Sequence, residues 1–173
     1  MSENKVISCY KDTPIIFETS YFYWMREIDK LENHIPVSIC IWDPKWFKGS
    51  NITCFVPKKY DSNTDCEACA QKNRIDCKYL NNYRAQLDNL FSTEFNKFID
   101  YIVENIIDQY LNIYNGELDF SNPIHIIFLG YENKETLCTE RYVLADKLEE
   151  YYFKNNNKEI CIEELNFKRK SES

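Results

Sequence analysis

Four of the eight cysteines fall in one short stretch: Cys54, Cys66, Cys69 and Cys77. Cys66-Glu67-Ala68-Cys69 is a C-x-x-C pair that presents two thiolates from one tight turn, and Cys54 and Cys77 flank it. Four thiolates suit a tetrahedral Zn²⁺ site. The same quartet suits a four-cysteine iron–sulfur cluster, and free thiols are the third reading. A closed four-sulfur shell leaves no position for substrate, so a metal held there is expected to fix structure. Cys9, Cys40 and Cys161 are expected to be small core residues.

Other groups could meet a ligand. Trp42, at the end of an expected strand, and Lys45, Trp46 and Lys48, in the loop after it, put two aromatic rings near positive charges, a combination suited to an anionic, ring-bearing molecule such as a nucleotide. A loop folded back as a lid on the core is the plainer reading. Asp43 and Glu132 follow two expected strands and could pair for acid–base work, against the alternative of a capping Asp and a solvated Glu. Cys138 lies just before an expected helix and near Arg141, which together favour a thiolate, while Glu135 and Glu140 oppose it. The two histidines, His34 and His125, fall in a loop and a strand and give His-based catalysis little material.

These side chains need a scaffold, and the apolar pattern supplies one. Strands are expected at 13–19, 37–42, 52–56, 124–129 and 159–165. Helices are expected at 21–32, with Ser20 as cap, and after Cys77, where Leu80, Tyr83, Leu87, Leu90 and Phe91 step by three or four. The strongest helix follows Ser92 or Thr93, with Phe95, Phe98, Ile99, Ile102, Val103, Ile106 and Tyr110 on one face. Asn115-Gly116 stops it. A last helix covers 139–154.

Strands alternating with helices predict a three-layer α/β fold with a mostly parallel sheet. It forms a single domain over 1–173, with a small cysteine-bound metal subdomain inserted at about 54–79. In such sheets ligands bind beyond the C-terminal strand ends. The loops at 19–21, 43–49 and 131–141 meet that condition.

Composition narrows the classes. With 44% hydrophobic and 16% aromatic residues the chain is a folded globule. A formal charge of −7 counts against direct binding along nucleic-acid backbone. Met1-Ser-Glu-Asn-Lys lacks the apolar stretch of a secretory signal, and no run reaches the ~18–20 apolar residues of a membrane span. A cytoplasmic location, where thiols stay reduced, is the expectation.

Thr19-Ser-Tyr-Phe, Ile35-Pro-Val-Ser-Ile-Cys and Pro44-Lys-Trp-Phe-Lys-Gly resemble a prokaryotic domain-of-unknown-function family that includes the YeaO-type proteins. Ile126–Glu132 and Cys138-Thr-Glu-Arg, followed by Val143-Leu-Ala-Asp-Lys-Leu, occupy the places of its later motifs. Gly130 stands where the family has Cys, and C-T-E-R replaces C-H-R. The resemblance spans about residues 13–165 and implies the α/β fold. It carries Arg141, Glu132 and Cys138 over as candidate site residues and brings no settled activity.

Two functions follow as expectations. One is an anionic, nucleotide-like small-molecule site at the strand ends, with Lys45, Lys48 and Arg141 meeting charge and Trp42 and Trp46 stacking on a ring. In it, Asp43, Glu132 and Cys138 are the candidate catalytic groups. The other is a non-catalytic acidic inhibitor or regulator that binds a protein partner.

Overall fold

The computed structural model describes residues 6–58, 78–131 and 139–168. Cys66, Cys69, Cys77, Glu132 and Cys138 lie outside them, as does the end of the chain beyond 168.

Among the described residues six strands form one sheet. β1 (Val6–Tyr10), β2 (Thr13–Tyr21), β3 (His34–Ser38), β4 (Ser50–Asn51), β5 (Ile124–Gly130) and β6 (Glu163–Glu164) run in the order β1-β2-β5-β3-β4, with β6 also on β2. Only β1 is antiparallel; the other pairings are parallel. The outer edge of β2 is divided. β1 pairs with its first half, through Ile16, and β6 with Glu18 and Thr19. That division shortens the strand expected at 159–165 to two residues.

Among the described residues four helices accompany the sheet: α1 (Met25–Ile28), α2 (Lys78–Phe91), α3 (Phe95–Asn112) and α4 (Glu140–Asn156). The helix expected at 21–32 is a single turn of 3₁₀ helix at Phe22–Trp24 followed by α1. β2 runs on to Tyr21, which uses the residues of the first expected helical turn. Ser92 does not cap α3. Its hydroxyl instead donates to the Asn89 carbonyl at the end of α2, and α3 starts after Glu94, whose φ is 49°. β3 begins at His34 and ends at Ser38, earlier than expected. Pro36 is tolerated there because β4 reaches only Val37 and Ser38, leaving Pro36 without a ladder partner on that side. The segment expected as a strand at 52–56 holds a 3₁₀ turn, Thr53–Phe55.

Alternation along the strands sets two faces. Ile15, Phe17, Ile35, Val37, Ile124, Ile126 and Phe128 pack against apolar stripes of α2, α3 and α4. Along α3, Phe95, Ile99, Ile102, Val103, Ile106 and Ile107 are buried, the spacing of one helical face. Tyr83 is fully buried between them, its hydroxyl donating to the Phe55 carbonyl at 2.5 Å.

The opposite face is covered more thinly. Ile127 and Leu129 pack with Phe22, Trp24, Met25 and Ile28 of the short helical segment, with Phe47, Leu165 and Phe167 around them. Among the described residues this face carries no long helix, and no described helix is long and apolar enough to cross a membrane.

Candidate functional site

The thinly covered face of the sheet carries the clustered ionisable groups. Glu18, His34 and His125 are at positions that alternation turns away from α2–α4. His34 and His125 are paired in register on adjacent strands, and their rings stack at 4.1 Å and 9°. Glu18 lies two residues beyond Ile16, the partner of His125 on β2. Its Oε1 is 2.5 Å from His125 Nδ1 and 3.8 Å from His34 Nε2.

The neighbouring turn fixes His34. Its Nδ1 is 2.6 Å from the Glu32 carbonyl, which can only accept, so Nδ1 carries the proton. Burial holds the His34 pKa below the ordinary histidine value, and the adjacent His125 adds to that effect. The Glu32 carbonyl and Glu18 oppose it. Asn33, at φ 58°, clamps the segment: its side-chain amide donates to the Asp119 carbonyl at 2.7 Å, and its Oδ1 accepts from Asp119 N–H at 2.8 Å. The His125 N–H donates to the Asn33 carbonyl at 2.8 Å. These bonds join the starts of β3 and β5 and set one imidazole beside the other.

His34 also lines a cleft of about 320 Å³. Trp46 and Lys48 come to it from the loop after β3, Asp29 from the end of α1, and Tyr110 and Gly116 from the end of α3. A side chain at Gly116 would have its Cβ 2.2 Å from the Tyr110 ring, so glycine permits the close approach that forms this wall. Burial raises the pKa of Asp29 above the ordinary carboxylate value. The Tyr110 phenol is raised by burial and by Asp29 and Glu117. The cleft therefore offers an exposed indole, one ammonium, one carboxylate and the imidazole of His34.

Of the residues picked out in the sequence, Trp46 and Lys48 are brought together here. Trp42 and Lys45 are exposed and lie outside the lining. Asp43 serves its own loop: its Oδ1 accepts from Ser38 Oγ at 2.5 Å and from the Asn51 side chain at 3.0 Å.

Arg141 is fully buried at the start of α4. Its Nε and terminal nitrogen donate to the two oxygens of Glu164 at 2.9 and 2.7 Å, and another nitrogen donates to Thr139 Oγ1. The rings of Tyr21 and Tyr142 lie 5.2 and 4.6 Å from its Cζ. The Tyr142 pKa is pushed up to about 12, first by burial and then by its hydrogen bond to Glu164.

Among the cysteines, Cys54 is half-buried against the main core, and burial raises its thiol to about 11. A metal that held it as thiolate would have to overcome that preference. The expectation that Cys9 and Cys161 are core residues is corrected: both are exposed, and only Cys40 is half-buried. Each lies at a sheet margin, Cys9 on edge strand β1 and Cys161 just before the short β6.

Comparison with family models, curated proteins and solved structures finds no match to this chain. The likeness to the YeaO-type family thus rests on the quoted residues alone.

The Glu18–His34–His125 cluster is not legible from the local sequence, because the contact crosses three strands whose register no local pattern encodes. A signal exists. His125 interrupts the apolar run Ile124–Leu129, and Glu18 directly follows the apolar Ile15-Ile16-Phe17 of β2; an ionisable residue in such a covered strand requires a partner.

Proposed function

We propose that the protein binds an anionic, ring-bearing small molecule of nucleotide-like chemistry in the cleft beside the Trp46–Lys48 loop. The observation that carries this reading is that Trp46, Lys48 and His34 share one cleft of about 320 Å³, a size suited to such ligands. The Trp46 ring, 58% exposed, offers a stacking face. Lys48 supplies charge for a phosphate or carboxylate, and Asp29 an acceptor for an amine on the ring. Arg141, committed to Glu164, takes no part, and neither do Trp42 and Lys45. In this reading the site lies over the sheet face at β3, displaced from the strand tips where parallel sheets usually bind ligands. A structural zinc on Cys54, Cys66, Cys69 and Cys77, in the segment between β4 and α2, belongs to the same reading, with an iron–sulfur cluster as its alternative.

The test is titration of the full chain with adenosine monophosphate and with adenosine, followed by tryptophan fluorescence. Both are expected to quench Trp46 emission, and Trp46→Ala to remove the quenching. Lys48→Ala should weaken the monophosphate about tenfold, the loss of one charge-assisted contact, and leave adenosine unchanged. Quenching that survives Trp46→Ala, or none with either compound, would overturn the proposal.

A further inference from the structure

Three metal-ligating side chains converge beneath the cleft. One ligand atom from each of Glu18, His34 and His125 lies within 4.8 Å of the other two. The proton on His34 Nδ1 is committed to the Glu32 carbonyl, so in the neutral ring Nε2 is an acceptor. It stands 3.8 Å from Glu18 Oε1, also an acceptor. Two acceptors at that separation repel each other unless a proton or a cation lies between them. A backbone carbonyl on the far nitrogen is also how metal-binding histidines have their tautomer and ring orientation fixed.

We propose that Glu18, His34 and His125 bind a divalent first-row transition metal, such as Zn²⁺ or Co²⁺, through Glu18 Oε1, His34 Nε2 and a ring nitrogen of His125. Two imidazoles and a carboxylate are a donor set suited to these ions and a poor one for Mg²⁺ or Ca²⁺. The set is largely enclosed, with side-chain exposures of 10% for Glu18, 14% for His34 and 25% for His125.

The stacked rings dictate what must move. A metal binds in the plane of an imidazole, and one ion cannot lie in the planes of two stacked rings that are 9° from parallel with centroids 4.1 Å apart. His34 is held by Glu32, whereas His125 is the more exposed ring, with its Nδ1 bonded to Glu18. Binding therefore turns His125 out of the stack and replaces its bond to Glu18 with two metal bonds. Bonds of ~2.1 Å in a tetrahedron need ligand atoms ~3.4 Å apart. The His34–Glu18 gap closes slightly to reach that spacing, and the His125–Glu18 contact opens by under ~1 Å. Three protein ligands leave a position open. Because His34 lines the cleft, the ion lies next to the ligand site proposed above, though the metal site itself does not depend on that ligand.

The experiment is titration of the full chain with Co²⁺ alone, read by absorbance and by melting temperature. Cobalt on cysteine thiolates gives intense sulfur-to-metal charge-transfer bands, whereas cobalt on nitrogen and oxygen gives only weaker visible bands. The expected result is a bound cobalt without charge-transfer absorption that raises the melting temperature. His34→Ala and His125→Ala each lower its affinity ~100-fold or more and leave any thiolate band unchanged. Glu18→Gln keeps the shape and can still accept from His125, so it separates metal loss from misfolding. It is expected to melt like the wild type without metal and to lose the cobalt-induced rise. The proposal fails if all bound cobalt carries the thiolate band, or if Glu18→Gln binds cobalt as the wild type does.

Discussion

Arg141 illustrates how a residue's type and its role come apart. Its charge, and its place in the first turn of an expected helix, make it a natural anion contact. In the fold its guanidinium is fully buried and forked onto Glu164, 23 residues along the chain. No local pattern announces that partner, because it depends on β6 settling beside β2. A buried guanidinium deprived of its carboxylate keeps its desolvation penalty and loses the compensating attraction. Glu164→Gln is therefore expected to destabilise the protein by about 3 kcal/mol, whereas replacing both partners by apolar residues, Arg141→Met with Glu164→Leu, costs less. Urea denaturation of the two variants checks this. Equal losses would show that packing around the side chain matters more than the charge pair.

Elements were more legible than contacts. The buried stripes of α2 and α3 follow their apolar spacing, and β5 is covered on both faces as its apolar run, interrupted by His125, requires. What escaped was structure set by turns and neighbours. β1 was invisible because its hairpin turns on Lys11-Asp12, at φ 48° and 69°, with Tyr10 paired to Thr13. A two-residue turn with both residues left-handed is type I′, normally announced by Asn-Gly or Asp-Gly. Lysine there is strained, and aspartate less so. The chain holds the turn because β1 packs against α3, where Ser8 Oγ donates to Asp100 at 2.9 Å. Asp12→Gly relieves the second position and is expected to stabilise the protein by about 0.5 kcal/mol, read as a higher urea midpoint. A lower midpoint would mean that glycine's added freedom in the unfolded chain outweighs the relief.

For the molecule as a whole, the charge of −7 makes acidic groups the main source of pH-dependent stability. General repulsion and local burial then have to be told apart. Glu149 allows this. It is half-buried on α4, and its Oε1 accepts from Ile162 N–H at 2.8 Å, tying the helix to the approach of β6. Burial raises its pKa above the ordinary carboxylate value, Asp146 adds to the rise, and the Ile162 bond opposes it. With the folded pKa above the unfolded one, the folded state holds this proton more tightly. The associated stability is present in full below the unfolded pKa and is lost as pH rises through the raised value. Glu149→Gln keeps an oxygen for Ile162 and removes the ionisation. The variant is expected to be more stable than the wild type at pH 7, and the gain should vanish near pH 4. Exposed Glu104 on α3 provides the control, since Glu104→Gln lowers the net charge equally without touching a buried group. If urea midpoints at the two pH values change alike in both variants, whole-molecule repulsion sets the pH dependence. If only Glu149→Gln shows the gain at pH 7, burial of one carboxylate beneath β6 sets it, and the charge of the molecule is a background that neither variant alters much.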